Sequence, residues 1–441
     1  MSGSDAWVGA TLSGSWTDNN YGVILPNLVN LVKKRHTEAT MTFFILGSNP
    51  DLAKAEILSV VGSSSKIILE SSTVLVLDYV ETPVDELQNR LGGTIKIGVI
   101  LDEFLGLDPR VCADAIVREA MKATGKNKIT FGLSAYDLGN PNGVKKIAQG
   151  FKVLGGEIKN ALRETGRPVR FVQAKNDALT SVVVETNGLN ESGGEFCLFA
   201  TNTSIILGRT STVQNFKAWS DRDFGRPSRD SRSGMLPPKL ARMMINLATG
   251  QRGDGTQPIT EMTILDPFCG SGTIPMEAAL MGFQKIIGSD ISEKAIRDSR
   301  LNTDWLYEQK FLHPVTPKLQ IEFHVSKAGD IQKIITNPVD AIVAETYLGP
   351  ARHAFDRATL DALKVELMKI YRDSLMALAK KMKPNGAMVI AFPAFAVKNE
   401  IIKLPLKKII EDAGLTIDGT WIYRRPDQQT AREIVRIKKS V

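Results

Sequence analysis

The stretch Asp266-Pro267-Phe268-Cys269-Gly270-Ser271-Gly272-Thr273 constrains this chain more than any other. It closes an apolar run, Thr263-Ile264-Leu265, and opens an apolar-periodic segment from Ile274 to Met281. That is the pattern of a strand, a tight glycine turn and a helix start. Gly270 and Gly272 let the backbone turn sharply and approach a ligand with no Cβ in the way. The following helix aims its free N–H groups and positive dipole end at whatever sits there. A second strand, Lys285 to Asp290, ends in a carboxylate, where an open α/β sheet places a group for ribose hydroxyls. Together these features describe a nucleoside site.

An NAD fingerprint would read G-x-G-x-x-G, with a third glycine for close helix packing. Here an acid at the strand end precedes the glycine pair, and that acid would repel a pyrophosphate. It suits a cationic amino-acid moiety. S-adenosylmethionine carries an ammonium, a sulfonium and a ribose diol, so Asp266 and Asp290 fit its two ends. An ordinary Rossmann turn is the blander explanation of a lone glycine pair.

At 441 residues the chain has room for two or three domains. Its 43% hydrophobic and 23% charged residues are globular proportions, with no apolar run of transmembrane length. Cys112, Cys197 and Cys269 have no metal-ligand spacing and point to reduced thiols in a cytoplasmic protein. The four histidines form no cluster, so no metal site is expected. The net charge of +7 and pI near 9.1 permit a polyanionic partner. Lys145, Lys146, Lys152, Lys159, Arg163, Arg167, Arg170 and Lys175 lie close together against only Glu157 and Glu164. A basic helix face leading into a basic strand is what phosphate tracking needs; a solvated helix face is the alternative.

Residues 1–40 read as an extension of uncertain origin, without the basic start of a signal peptide. From residue 41 to 105 the order is strand (42–47), helix (50–61), strands (66–70 and 73–79), helix from Pro83, and strand (95–100), the ferredoxin-like order. A second α/β module over 106–212 carries the basic stretch. Its helices are expected near 109–123 and 142–165, its strands at 128–135, 169–173, 179–186, 195–200 and 203–208. A linker, 213–235, contains an Arg/Asp-rich loop (Arg222, Arg226, Arg229, Arg232) that either contacts substrate or is locally paired. Residues 236–441 alternate helices (238–247, 293–308, 357–382, 398–413) with strands (321–325, 341–345, 387–392, 416–423, 433–437). This fits a doubly wound sheet ending in an antiparallel hairpin.

The fourth strand of that sheet ends at Glu345-Thr346-Tyr347, beside the donor site in this topology. A carboxylate and backbone carbonyls accept hydrogen bonds from an exocyclic amine, and a ring stacks on its base. A polar loop after a buried strand is the bland alternative. Asp330 is placed either to reach an adenine amino group or to cap a helix.

The stretches Arg226 to Leu247, with Ser233-Gly234-Met235-Leu236-Pro237-Pro238-Lys239-Leu240-Ala241, and Asp266 to Ala279 resemble the THUMP-domain methyltransferases. More closely, they are similar to the tRNA guanosine-N2 methyltransferases that modify guanosine 10. Phe131 to Tyr136 and Val169 to Val172 resemble that family's THUMP-side motifs. The resemblance spans roughly 41–441. It implies a ferredoxin-like plus THUMP-like RNA-binding half joined to a Rossmann-type methyltransferase half. It also implies tRNA as partner and donor contacts at Asp266, Phe268, Gly270, Gly272, Asp290 and Asp330. The catalytic loop departs from the family's Asp/Asn-Pro-Pro-Tyr/Phe: both prolines are missing and the aromatic comes one place early. The expectation is S-adenosylmethionine-dependent methylation of a guanine 2-amino group in tRNA. The alternatives are a DNA amino-methyltransferase and an inactive RNA-binding homologue that keeps the donor pocket.

Overall fold

The computed structural model describes residues 40–123, 128–229, 235–250, 258–309, 311, 319–350, 357–397, 400–425 and 430–439. The extension expected over 1–40 lies almost wholly outside them, as does Arg232.

The first half is built on one eight-stranded sheet, ordered β2-β3-β1-β4-β8-β7-β5-β6. Its first four strands, β1 (Thr42–Leu46), β2 (Ile67–Glu70), β3 (Val74–Leu77) and β4 (Thr94–Leu105), pair antiparallel. Helices α1 (Pro50–Val61) and α2 (Val84–Arg90) link them in the ferredoxin-like order. The second module supplies a short 3-10 turn (Pro109–Cys112), α3 (Ala113–Met121), β5 (Ile129–Asp137), α4 (Pro141–Arg163) and β6 (Val169–Val172). It continues through α5 (Ser181–Thr186), β7 (Gly194–Ala200) and β8 (Ser204–Val213). β4 outruns the expected 95–100 and pairs along its length with β8, so both modules share one ladder.

Segment 179–186, expected as a strand, forms helix α5. The Thr180 hydroxyl accepts from the Val183 N–H and starts the turn. The Leu179 backbone is taken up by side chains: its N–H donates to Ser134 and its carbonyl accepts from Lys96. Local capping and the capture of the Leu179 backbone by side chains outweigh the β preference of three consecutive valines.

The expected loop 215–234 also holds a helix, α6 (Phe216–Phe224), capped by the Asn215 side chain. Arg222 and Arg226 are buried, and Arg222 pairs with Glu277 of the second half rather than with the local aspartates. Its guanidinium lies 4.2 Å from the Trp219 ring centre.

Helix α7 (Pro238–Thr249) joins the halves. Eleven of its twelve residues are buried, because it packs against α1 on one side and the second sheet on the other. A helix enclosed this way gains about 1.5–3 kcal/mol for each large apolar side chain it buries. Gly92 makes the approach possible, since a Cβ there would lie 2.3 Å from the Lys239 carbonyl oxygen. Glu56 spans the junction, accepting from Gly92 N, Gly93 N and the Asn246 amide.

The second half contains β9 (Thr263–Asp266), α8 (Thr273–Leu280), β10 (Lys285–Asp290), α9 (Glu293–Glu308), β11 (Gln320–Val325) and β12 (Val339–Glu345). Then come α10 (Arg357–Ala379), β13 (Met382–Val397), β14 (Glu400–Ile402), α11 (Leu406–Asp412), β15 (Leu415–Tyr423) and β16 (Thr430–Lys439). The sheet runs β11-β10-β9-β12-β13-β16-β15, parallel from β11 to β13 and antiparallel at β16 and β15. This is the expected doubly wound sheet with a closing hairpin. Segment 398–413 is not one helix. β13 turns back into β14, and Pro405 precedes the shorter α11. Proline has no N–H to give and fixes φ, which favours a helix start there over a helix interior.

Candidate active site

Strand order reverses between β9 and β12, and a cavity of about 1030 Å³ opens beyond their carboxyl ends. Asp266, Phe268, Gly270, Asp290 and Asp330 line it, and so do Glu345, Thr346 and Tyr347. The residues expected to hold a donor and those expected to meet an acceptor therefore share one space.

The donor end is a backbone construction. After β9 the chain turns at Gly270 (φ +51°) and Gly272 (φ +86°), both left-handed, where glycine alone carries no steric penalty. Gly270 lines the cavity, and a Cβ there would meet nothing within 4 Å. Gly272 is not among the lining residues. It is the N-cap of α8, and a Cβ on it would come within 3.0 Å of Ser299 Oγ. Ser299 Oγ donates to the Gly270 carbonyl, and the Asn302 amide donates to the Ser271 carbonyl. Arg226 donates to Thr273 Oγ1, and Asn302 also accepts from Ser228 N, which stitches the linker to the turn. Sequence reading missed Ser299 and Asn302. They sit on one face of α9, where small polar residues at helical spacing were the only signal.

Asp290 accepts from Gly270 N at 3.0 Å through Oδ2 and from Ser292 N at 2.9 Å through Oδ1. It braces the turn as well as facing the cavity. Asp266 is 3% exposed and accepts from Phe268 N. Burial pushes its carboxyl well above the usual range, and the nearby Asp290 and Glu345 charges push it further. A buried acid beside two others is a place prepared for a cation. Asp330 lies in a 3-10 turn (Ala328–Lys333), half exposed and paired with Lys333 at 2.8 Å. The cap of that turn is Lys327, so Asp330 is not a capping residue.

At the acceptor end, Glu345 closes β12 and pairs with Arg432 of β16. Burial raises the Glu345 carboxyl above its ordinary value, and the Arg432 guanidinium pulls it back. Thr346 is buried, with its N–H and hydroxyl both on the Ala391 carbonyl. Tyr347 is 47% exposed at the cavity mouth. Tyr371 of α10 donates its hydroxyl to the Tyr347 carbonyl at 2.5 Å. Arg432 and Tyr371 were also missed, since nothing local to either marks it.

The cavity fits S-adenosylmethionine: left-handed glycine with open space before it, backbone N–H groups beside a helix start, and clustered acids for a cation. Residues 226–413 match the family model described as RMKL-like, methyltransferase domain. This half of the chain has the S-adenosylmethionine-binding methyltransferase fold.

The methyltransferase domain has relatives at modest identity. A tRNA (guanine(10)-N2)-dimethyltransferase of Methanocaldococcus jannaschii is 31% identical over 194 residues, 43% of this chain and 48% of that protein. The enzyme of the same name from Pyrococcus abyssi is 26% identical over 351 residues, 79% of this chain and 87% of its own. The alignment thus spans about half of the first and most of the second. The crystal structure of TrmN from Thermus thermophilus superposes with a TM-score of 0.49 at 16% identity, covering 91% of this chain and 99% of that one.

The six expected RNA-binding residues lie outside the cavity, in the first half. Lys145, Lys146, Lys152 and Arg163 are exposed on α4, Lys159 is half-buried there, and Arg170 is exposed on β6. None of the six forms an ion pair among the described residues. Cys112, Cys197 and Cys269 are free and buried. No described group of His, Cys, Asp and Glu could hold a metal, and no described helix is long and apolar enough to cross a membrane.

Proposed function

We propose that this protein transfers methyl from S-adenosylmethionine to the exocyclic 2-amino group of a guanosine in tRNA. The observation that carries this reading is the shared cavity, with the glycine turn and acids at one end and Glu345-Thr346-Tyr347 at the other. Similarity to proteins named tRNA (guanine(10)-N2)-dimethyltransferases supports the substrate. The unpaired basic face of α4 supports an RNA partner, held by the ferredoxin-like and THUMP-like modules and kept in the cytoplasm, where buried free thiols stay reduced.

Bound S-adenosylmethionine supplies an activated methyl on a sulfonium, so the protein's task is placement. Asp266, Asp290 and the Gly270 turn hold the donor, and Phe268 and Asp330 flank it. Tyr347 stacks on an unstacked base, and Glu345 accepts an N–H of its amine. The bound donor would give up its methyl to the amine nitrogen and leave as a neutral thioether, and Glu345 would take up the proton that the amine loses. Alignment of this kind supplies ~7–11 kcal/mol in favourable cases.

The test is incubation of the full chain with labelled donor and either unmodified tRNA or duplex DNA, followed by nucleoside mass spectrometry. N2-methylguanosine in tRNA is expected, and label in DNA alone would reject the reading. RNA affinity should fall steeply with salt. A second reading draws on the Glu345–Arg432 pair, which ties up the candidate acceptor: a donor-binding RNA protein that transfers nothing. Donor uptake without label in any nucleic acid would favour it.

A further inference from the structure

The acceptor loop is held by residues far from it in sequence. Glu345 is the register partner of Ala391 on β13, and Arg432 is the partner of Pro393 on the same strand. Arg432 therefore reaches across β13 to meet Glu345, and it is 3% exposed when it does so. Its Nε donates to Oε1 of Glu345. One residue on, the Thr346 N–H and hydroxyl sit 3.0 and 3.1 Å from the Ala391 carbonyl. The next carbonyl, of Tyr347, accepts from Tyr371, which is fully buried and packs edge-on against Phe392 with ring centres 5.1 Å apart. Three successive residues thus have three separate tethers, from β16, β13 and α10.

We propose that Arg432 and Tyr371 are positioning residues of the acceptor loop: Arg432 fixes Glu345 through Oε1 and leaves Oε2 for the incoming amine, while Tyr371 locks the Tyr347 carbonyl. These tethers supply the rigidity that ring residues would otherwise give. A proline at 346 has no N–H for Ala391, so in this chain a proline loosens the loop rather than stiffening it. The inference rests on the methyl-transfer reading above, and it opposes the view that the Glu345–Arg432 pair marks an inactive site.

Charged and titratable groups facing Glu345 are Arg432 from β16, Asp266 from β9 and, through the Tyr347 carbonyl, Tyr371 from α10. Burial keeps Tyr371 a neutral donor. At saturating donor, the bound cation favours ionised Asp266, whose proton has gone to solvent, so the acid limb of the transfer step reports Glu345. Single-turnover transfer to tRNA is measured against pH for the full-length wild type and for Arg432→Met, Arg432→Lys, Tyr371→Phe and Thr346→Pro. Removing the counter-charge should move the acid limb of Arg432→Met up by about one pH unit or more, with Arg432→Lys returning most of it. Tyr371→Phe should slow transfer about tenfold at every pH with donor affinity unchanged. Thr346→Pro should be slower than wild type.

A second arm needs no catalysis. Hydrogen–deuterium exchange across 342–350 should quicken in Tyr371→Phe and Arg432→Lys while 285–290 keeps its protection. An Arg432→Met limb lying on that of wild type, a Thr346→Pro enzyme as fast as wild type, or unchanged exchange across 342–350 would each overturn the proposal. If wild type methylates no tRNA while exchange still responds, the function assigned above falls and the positioning roles stand.

Discussion

The two ends of the cavity are held by opposite means. At the donor end the backbone frame is one contiguous run, β9, a turn of two left-handed glycines and the start of α8, closed by an acid from the adjoining strand. Backbone geometry fixes that end, and backbone geometry demands particular residues at particular spacings. At the acceptor end, Glu345, Thr346 and Tyr347 depend on Arg432, Ala391 and Tyr371, between 24 and 87 positions away. Long-range contacts fix that end, two of the three through the side chains of Arg432 and Tyr371. A loop held in this way can vary in sequence and stay ordered, whereas the glycine turn cannot.

The largest expected effect tests whether the two ends are separable. Glu345→Gln keeps the shape and an acceptor oxygen but removes the charge. Transfer should fall about a hundredfold or more, the scale of losing a positioned acid–base group, while calorimetry finds donor affinity unchanged. A matching loss of donor affinity would show the ends to be one unit and would break the contrast.

The same contrast explains what was legible in the sequence. The glycine run, the acid ending β10 and the strand–helix alternation of the second half announce themselves, because each is local and periodic. The strand–helix order expected over 41–105 is that of the fold, yet the fusion of this module with the next through β4 and β8 did not show, since ladder partners leave no local mark. Residues 179–186 looked like a strand because three consecutive valines dominate any local count, whereas in the fold the Thr180 cap decides. Arg222 among its aspartates reads as substrate-facing or locally paired, and only the tertiary structure brings Glu277 to it.

Asp290→Ala comes next in size. It deletes two charge-assisted acceptors, one at the Gly270 N–H and one at the Ser292 N–H. At about 1.5–3 kcal/mol for such a bond, donor affinity should drop ten- to a hundredfold by roughly that scale. Transfer at saturating donor should return close to wild type, the mirror image of Glu345→Gln. Gly272→Ala should act more weakly on affinity and more on the fold. The left-handed conformation costs an alanine about 1–2 kcal/mol, and its Cβ would crowd Ser299. A melting temperature lower by a few degrees is expected, and an unchanged one would remove the argument that backbone geometry governs this end.

The smallest effect is a proton. Asp266 in the free protein holds its carboxyl well above the ordinary range, through burial first and then repulsion by Asp290 and Glu345. A group whose folded value is raised in this way contributes in full below its unfolded value, and that contribution is lost as pH rises from there through the folded value. At neutral pH the buried acid is therefore a burden on stability, and Asp266→Asn should melt higher. A cation bound beside Asp266 favours the ionised form. Below the raised value binding must expel a proton, so donor affinity should climb with pH by up to about tenfold per unit and then level off. Calorimetry in buffers of different ionisation enthalpy would count that proton. Asp266→Asn should bind weakly, release none and lose the slope, while Glu345→Gln keeps it. A slope that survives in Asp266→Asn would move the cation's partner to Asp290, and the donor end would then rest on its turn-bracing acid alone.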